Sequence, residues 1–144
     1  MVIPLVGTWS LVSMIYVDRD GNEIAPWGLQ PLGRLTYTAD GRFSAVLAAT
    51  ERAMSAPSGA APIEAQAAAF RHASAYCGTY ELAGDTMFHH VEVAVDPTWQ
   101  DTVQERSVRF DGRFLTLATQ PIVTRRDPAG HVLTLRWEKL APAS

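Results

Sequence analysis

Between Tyr76 and Val95 the chain carries two alternating apolar–polar runs separated by Gly84-Asp85. Glycine at the first central position suits a two-residue hairpin loop. Pairing Ala83 with Thr86 sets Leu82 opposite Met87, Tyr80 opposite His89, Gly78 opposite Val91 and Tyr76 opposite Val93. That face is apolar apart from two phenols and one imidazole. On the other face Glu81, Thr79 and Cys77 meet Phe88, His90 and Glu92. Because strand side chains alternate, the pattern predicts a buried face that holds His89 inside and leaves His90 outside.

The same reading extends along the chain. Gly7 to Val17 alternates with two rows that are both largely apolar, which predicts a strand covered on both sides, ending at the turn signal Asp18 to Asn22. A long loop containing Trp27 follows. Arg34 to Thr38 and Arg42 to Ala49 form strands about Ala39-Asp40-Gly41, so that Leu35 and Tyr37 share a face with Phe43, Ala45 and Leu47. Residues 50–62 are loop by composition. Ile63 to Ser74 is a helix: Pro62 suits its start, alanines fill it, and Ile63, Ala67 and Phe70 fall on one side. After the Tyr76–Val95 hairpin comes a loop, 96–102, with Trp99. Val103 to Phe110 and Arg113 to Thr119 flank Asp111-Gly112, and a two-residue loop there pairs Phe110 with Arg113 and Arg106 with Leu117. Arg106 and Gln104 then point inward beside Val108 and Phe110. His131 to Leu140 is the last strand.

The connections are lopsided. In an antiparallel up-and-down arrangement the tight turns at Asp40-Gly41, Gly84-Asp85 and Asp111-Gly112 fall at one end. The long loops 18–33, 50–75, 96–102 and 120–130, with the helix, fall at the other. The predicted fold is therefore all-β: an eight-stranded antiparallel up-and-down barrel, one helix inserted between its third and fourth strands, with one closed end and one looped mouth. An eight-stranded barrel can enclose one small ligand.

Composition narrows the picture without redirecting it. The 144 residues suit a single domain, and 47% hydrophobic with 19% charged content is that of a globular chain. Twelve basic against fifteen acidic residues give a net charge of −3, which offers no electrostatic case for nucleic acid. One cysteine excludes an internal disulfide. No apolar run approaches a membrane span, and the opening MVIPLVGTW lacks the basic start and cleavage pattern of a signal peptide. The expected location is the cytoplasm.

Several short stretches resemble the bacterial lipocalin-like domain family of the calycin superfamily. Gly7-Thr8-Trp9 matches the Gly-x-Trp signature on the first strand. YTADGR (37–42), YCGTYE (76–81), HHVE (89–92), FDGRFLTL (110–117) and LRWEK (135–139) follow in order, so the resemblance spans about residues 5 to 140. It implies an eight-stranded barrel with a central cavity. Ordinary lipocalins place their helix after the last strand, so their ligand residues do not carry over. Related calycin barrels include carriers and enzymes that cyclise or isomerise small natural products, and fold alone does not choose between them.

The candidate chemistry lies on the inner wall. His89 and His90 are adjacent on a strand and cannot share a metal ion, and neither a Cys-x-x-Cys nor a His-x-x-x-His pattern occurs, so no metal or cofactor is expected. Neither a nucleophile elbow nor a phosphate-binding loop is present. His89 is the candidate acid or base, with Tyr80 across the strand pair and Tyr76 nearer the mouth to orient it or to donate to an oxyanion. A core histidine hydrogen-bonded to Tyr80 gives the same pattern. Arg106 is a charge inside an apolar wall with no inward carboxylate to pair with, and such a charge is costly to bury alone. An anionic or enolisable ligand oxygen, positioned with Gln104, would supply the partner; backbone carbonyls or phenols are the alternative. Tyr37, Phe43 and Phe110 point inward as ligand contacts or as filling, and Trp27 and Trp99 sit in mouth loops where they would cap a cavity. The outer row Phe88, His90 and Glu92 offers either a homodimer contact or a solvated face. Three functions fit: a barrel that binds a small, largely apolar molecule with a polar or anionic group; a cofactor-free cyclase, isomerase or dehydratase using His89, Arg106 and Tyr80; and an interaction module whose barrel is filled by its own side chains.

Overall fold

The structure is a computed structural model, which describes all residues except 1, 53–55, 58, 124, 126, 127 and 129. Parts of the predicted loops 50–62 and 120–130 therefore lie outside the described residues. The strands are β1 (Gly7–Val17), β2 (Glu23–Ile24), β3 (Leu32–Tyr37), β4 (Arg42–Ala48), β5 (Ala73–Ala83), β6 (Thr86–Ala94), β7 (Val103–Phe110), β8 (Phe114–Thr119) and β9 (Val132–Lys139). Helix α1 (Ile63–Arg71) lies between β4 and β5. Every pairing is antiparallel, and β9 returns to β1, closing eight strands into a barrel. The two-residue β2, not anticipated from the sequence, pairs only with the mouth end of β1. No helix among the described residues is long and apolar enough to cross a membrane.

The tight turns fall at one end and the long connections at the other, as the lopsided spacing predicts. Ala83 pairs with Thr86 about Gly84-Asp85, and Tyr37 pairs with Phe43 about the 38–42 turn. The third hairpin differs in detail. Phe110 pairs with Leu115, and Arg106 with Thr119 rather than Leu117, because the two loop residues are Gly112 and Arg113. Asp111 causes the shift: its carboxylate accepts from the backbone N–H of both Arg113 and Phe114, and so holds the turn one residue further on. A one-residue move of the loop changes the register by two, which preserves the faces. Arg106 still points inward.

Two β-bulges change the reading of the longer strands. In β1, Leu11 pairs with Trp137 but Ser13 with Arg136, so Val12 is an extra residue. Trp9 and Leu11 face the core before the bulge and Met14 after it, while Val12 and Val17 face outward. The two apolar rows reflect this change of phase; the strand is not covered on both sides. In β6, Gly78 pairs with Val91 but Cys77 with Val93, leaving Glu92 extra. Tyr76 therefore faces Ala94 rather than Val93, and Val93 is 60% exposed. An extra residue bends the strand and raises its local twist.

Trp9, fully buried, plugs the closed end: its indole N–H donates to the Leu5 carbonyl at 2.9 Å, and Phe110 meets it edge-on. Gly7, at φ +136°, lets the Lys139 side chain lie against the backbone with its ammonium 5.3 Å from the Trp9 ring centre. The motif glycine and the Lys of LRWEK thus serve one end plug. The helix does not contribute to the core. None of its residues is buried, and Ile63 and Phe70 stay largely exposed on the outside of the wall. It ends at Arg71, three residues short of its predicted end, because Ala73 already pairs with Ala48.

Gly78 lies where the β6 bulge brings two backbones together, and a Cβ there would sit 1.8 Å from the His90 carbonyl oxygen. Gly78→Ala is expected to lose about 3 kcal/mol of stability by urea denaturation, at the upper end of overpacking costs, since the obstacle is backbone.

Candidate functional site

The barrel interior divides at mid-height. On the closed side, aromatic rings pack in a continuous column. Tyr76 contacts Phe43 (centroids 5.7 Å apart), Phe43 contacts His89 (4.4 Å), His89 lies nearly parallel to Tyr37 (5.8 Å), and Tyr37 meets Tyr80 edge-on (4.7 Å). His89 is 2% exposed, and its Nε2 lies 2.7 Å from the Tyr37 hydroxyl. Its Nδ1 is buried with no hydrogen-bond partner. Tyr80, although directly opposite His89 in the ladder, donates its hydroxyl to the Thr38 carbonyl instead.

Both members of the buried pair are held neutral. Burial pushes the His89 imidazole from its ordinary 6.5 down to about 3, with the Arg106 and His90 charges adding to the effect. Burial pushes the Tyr37 phenol well above its ordinary 10.0, helped by Tyr76 and Tyr80 and opposed by Arg106. Tyr76 is also raised by burial, while the Arg106 guanidinium beside it pulls the other way through its charge and a polar contact.

On the mouth side a cavity of about 270 Å³ remains. Its walls are apolar for the most part: Met14, Leu47, Leu133 and Leu135, with Trp27 and Trp99. The polar groups on it are Tyr16, Ser74, Tyr76, Thr119, His131 and Arg106. Arg106 is 8% exposed, its Nη1 donates to the Glu105 carbonyl at 2.8 Å, and its guanidinium lies 5.9 Å from the centre of the Trp99 ring. Ion pairs among the described residues join Arg42 to Asp40, Arg113 to Glu138 and Arg136 to Asp111, all at the surface; none involves Arg106. The cavity therefore holds a fixed cation in a mostly apolar wall, a chemistry suited to an anionic or strongly electron-rich group on an otherwise apolar molecule.

This architecture agrees with a match in sequence. The profile of the lipocalin-like domain family matches residues 6–140. The chain belongs to that family. Among solved structures it is similar to a lipocalin-like protein from Bacteroides uniformis, at 15% identity and a TM-score of 0.49, covering 94% of this chain and 98% of that one. It is also similar to a redesigned β-barrel, at 13% identity and a TM-score of 0.43, covering 95% of this chain and 92% of that one. Among curated proteins, none matches.

Within this lipocalin-like barrel the candidate residues separate into four groups. Arg106, Tyr76, Trp27 and Trp99 meet on the cavity wall. Gln104 joins Arg106 and Trp99 on a groove beside it. His89, Tyr37, Phe43 and Tyr80 occupy the packed half below, and Phe110 lies against Trp9 at the closed end. Large inward side chains do fill the barrel, but only its lower half. Sequence reasoning missed Met14, Tyr16, Ser74, Thr119 and His131 on the cavity wall. The alternation His131, Leu133, Leu135, Trp137 carried a signal for His131; Met14 and Tyr16 were hidden by the Val12 bulge.

The neutral state of His89 has a pH signature. An imidazole whose folded pKa is depressed contributes stability in full above 6.5, and that stability is lost as pH falls toward about 3. The surface carboxylates Asp18, Asp40, Asp96 and Asp111 are held below their ordinary 3.8, so their loss starts lower. Denaturant titrations should show wild-type stability falling by about 2 kcal/mol from pH 6.5 to about 4.5, and His89→Gln should abolish most of that fall.

Proposed function

We propose that this barrel binds a small, largely apolar molecule carrying one anionic group, with the apolar body in the mouth cavity and the anion on Arg106. The observation that carries the reading is Arg106 itself: a buried guanidinium with five N–H donors that meets one backbone carbonyl, the Tyr76 phenol and a tryptophan face and, among the described residues, no carboxylate. Tyr76, Ser74 and Thr119 add neutral hydrogen-bonding groups on the same cavity wall.

A cofactor-free cyclase, isomerase or dehydratase is the second reading. What favours it is a histidine held neutral at ordinary pH, the state in which imidazole accepts a proton. Against it, His89 is hydrogen-bonded to Tyr37 and covered by Phe43, below the cavity. A barrel acting only as an interaction module is disfavoured by the cavity of about 270 Å³.

Trp27 and Trp99 on the cavity wall supply the assay, since bound ligand should perturb indole fluorescence. Undecanoate and undecan-1-ol differ only in their head group. Arg106→Met is expected to weaken undecanoate roughly 10- to 100-fold and undecanol by less than about threefold, the loss of a charge-assisted hydrogen bond. Equal affinity of undecanoate for both proteins would overturn the reading. His89→Gln should leave undecanoate affinity within about threefold of wild type, the behaviour of a residue outside the binding wall.

A further inference from the structure

The β7–β8 ladder stops early. Its last pair is Arg106 with Thr119, although β7 continues toward the mouth through Val103 and stays paired to β6 as far as that residue. Beyond Thr119 the chain turns away through Gln120 and Pro121 to a bridge between Ile122 and His131. The strands therefore splay, and a groove of about 430 Å³ opens in the barrel wall between residues 103–105 and 120–122. Glu105 lies one residue past the last pair, and its carbonyl takes its hydrogen bond from Arg106 Nη1.

This groove adjoins the cavity. Trp99, Arg106, Thr119 and Leu133 line both, so Arg106 stands at the junction of the two spaces. The two spaces differ in chemistry. The cavity wall is mostly methionine, leucine and tryptophan with hydroxyl groups and His131 among them, whereas the groove adds the amides of Gln104 and Gln120 and the Glu105 carboxylate. Gln104 is half-buried, and its Nε2 is engaged with Thr102 Oγ1 at 2.8 Å, which leaves its amide oxygen as an acceptor toward the groove.

Building on the anion-binding reading, we infer that the groove is a head-group subsite and that the ligand class is an acyl conjugate of the N-acyl amino acid type. The acyl chain fills the cavity, the amide stands at the junction with its N–H on the Gln104 oxygen, and the carboxylate meets the groove side of the Arg106 guanidinium. A plain fatty acid uses the cavity and Arg106 but leaves the groove to water.

N-octanoylglycine and undecanoate have the same chain length and charge and differ by the amide, so their ratio reads the groove. By tryptophan fluorescence titration, wild-type protein should bind N-octanoylglycine about fivefold or more tightly than undecanoate, the size of a net hydrogen bond. Gln104→Leu, which removes the amide acceptor, and Ile122→Trp, which fills the groove from the side away from the cavity, should each abolish that preference while leaving undecanoate affinity and melting temperature close to wild type. Equal or weaker binding of N-octanoylglycine by wild-type protein overturns the subsite and leaves the cavity reading intact. A preference that survives both substitutions overturns it as well. Saturable binding of neither acid overturns the cavity reading and the subsite together.

Discussion

Closing the sheet on itself makes side-chain phase the controlling constraint of this protein. A closed barrel has no free edge, and every strand must present one row to the interior and the other to solvent. One extra residue exchanges the rows for everything beyond it. The bulge at Val12 allows Trp9 and Leu11 to seal the closed end while Met14 and Tyr16 line the cavity from the same strand. The bulge at Glu92 keeps Tyr76 on the inner wall but turns Val93 out and Ala94 in, so a small side chain stands opposite the phenol. Gly78, which accepts the close approach of the β6 backbone, is the residue that this second bulge cannot do without.

From that phasing follows the division of the interior. The closed half is solid with rings and contains a neutral histidine–tyrosine pair whose proton cannot leave without placing a charge in an apolar medium. The mouth half has space, and the charge inside it is permanent. A guanidinium stays charged at any physiological pH, so unlike His89 it cannot escape burial by neutralising. Arg106 answers with one backbone carbonyl, the Tyr76 phenol and a tryptophan face, which leaves a fixed cation in a mostly apolar wall. The early end of the β7–β8 ladder then places that cation where the wall itself opens.

Much of the candidate site was legible because alternation is local. Arg106 and Gln104 could be placed inside from β7 alone, and the register error in the third hairpin did no harm, because a shift of two residues keeps the faces. The hydrogen bond of His89 was not legible. Tyr80 is its ladder neighbour, but the hydroxyl that reaches it belongs to Tyr37, three strands away in sheet order. Which rings meet across a barrel depends on tilt and side-chain reach, and neither is written in the spacing of any one strand.

By itself the sequence determined the architecture: eight barrel strands, three tight turns gathered at one end, long loops and a helix at the other, and the inward placement of His89 and Arg106. Those features follow from two-residue periodicity and from turn chemistry, which act over a few neighbouring residues. Only the tertiary structure decided that His89 is packed below the cavity while Arg106 lines it, that Phe110 belongs to the end plug, and that β7 and β8 part beside the guanidinium. Depth within a barrel is a sum over all the strands, their bulges included, and no single strand contains it.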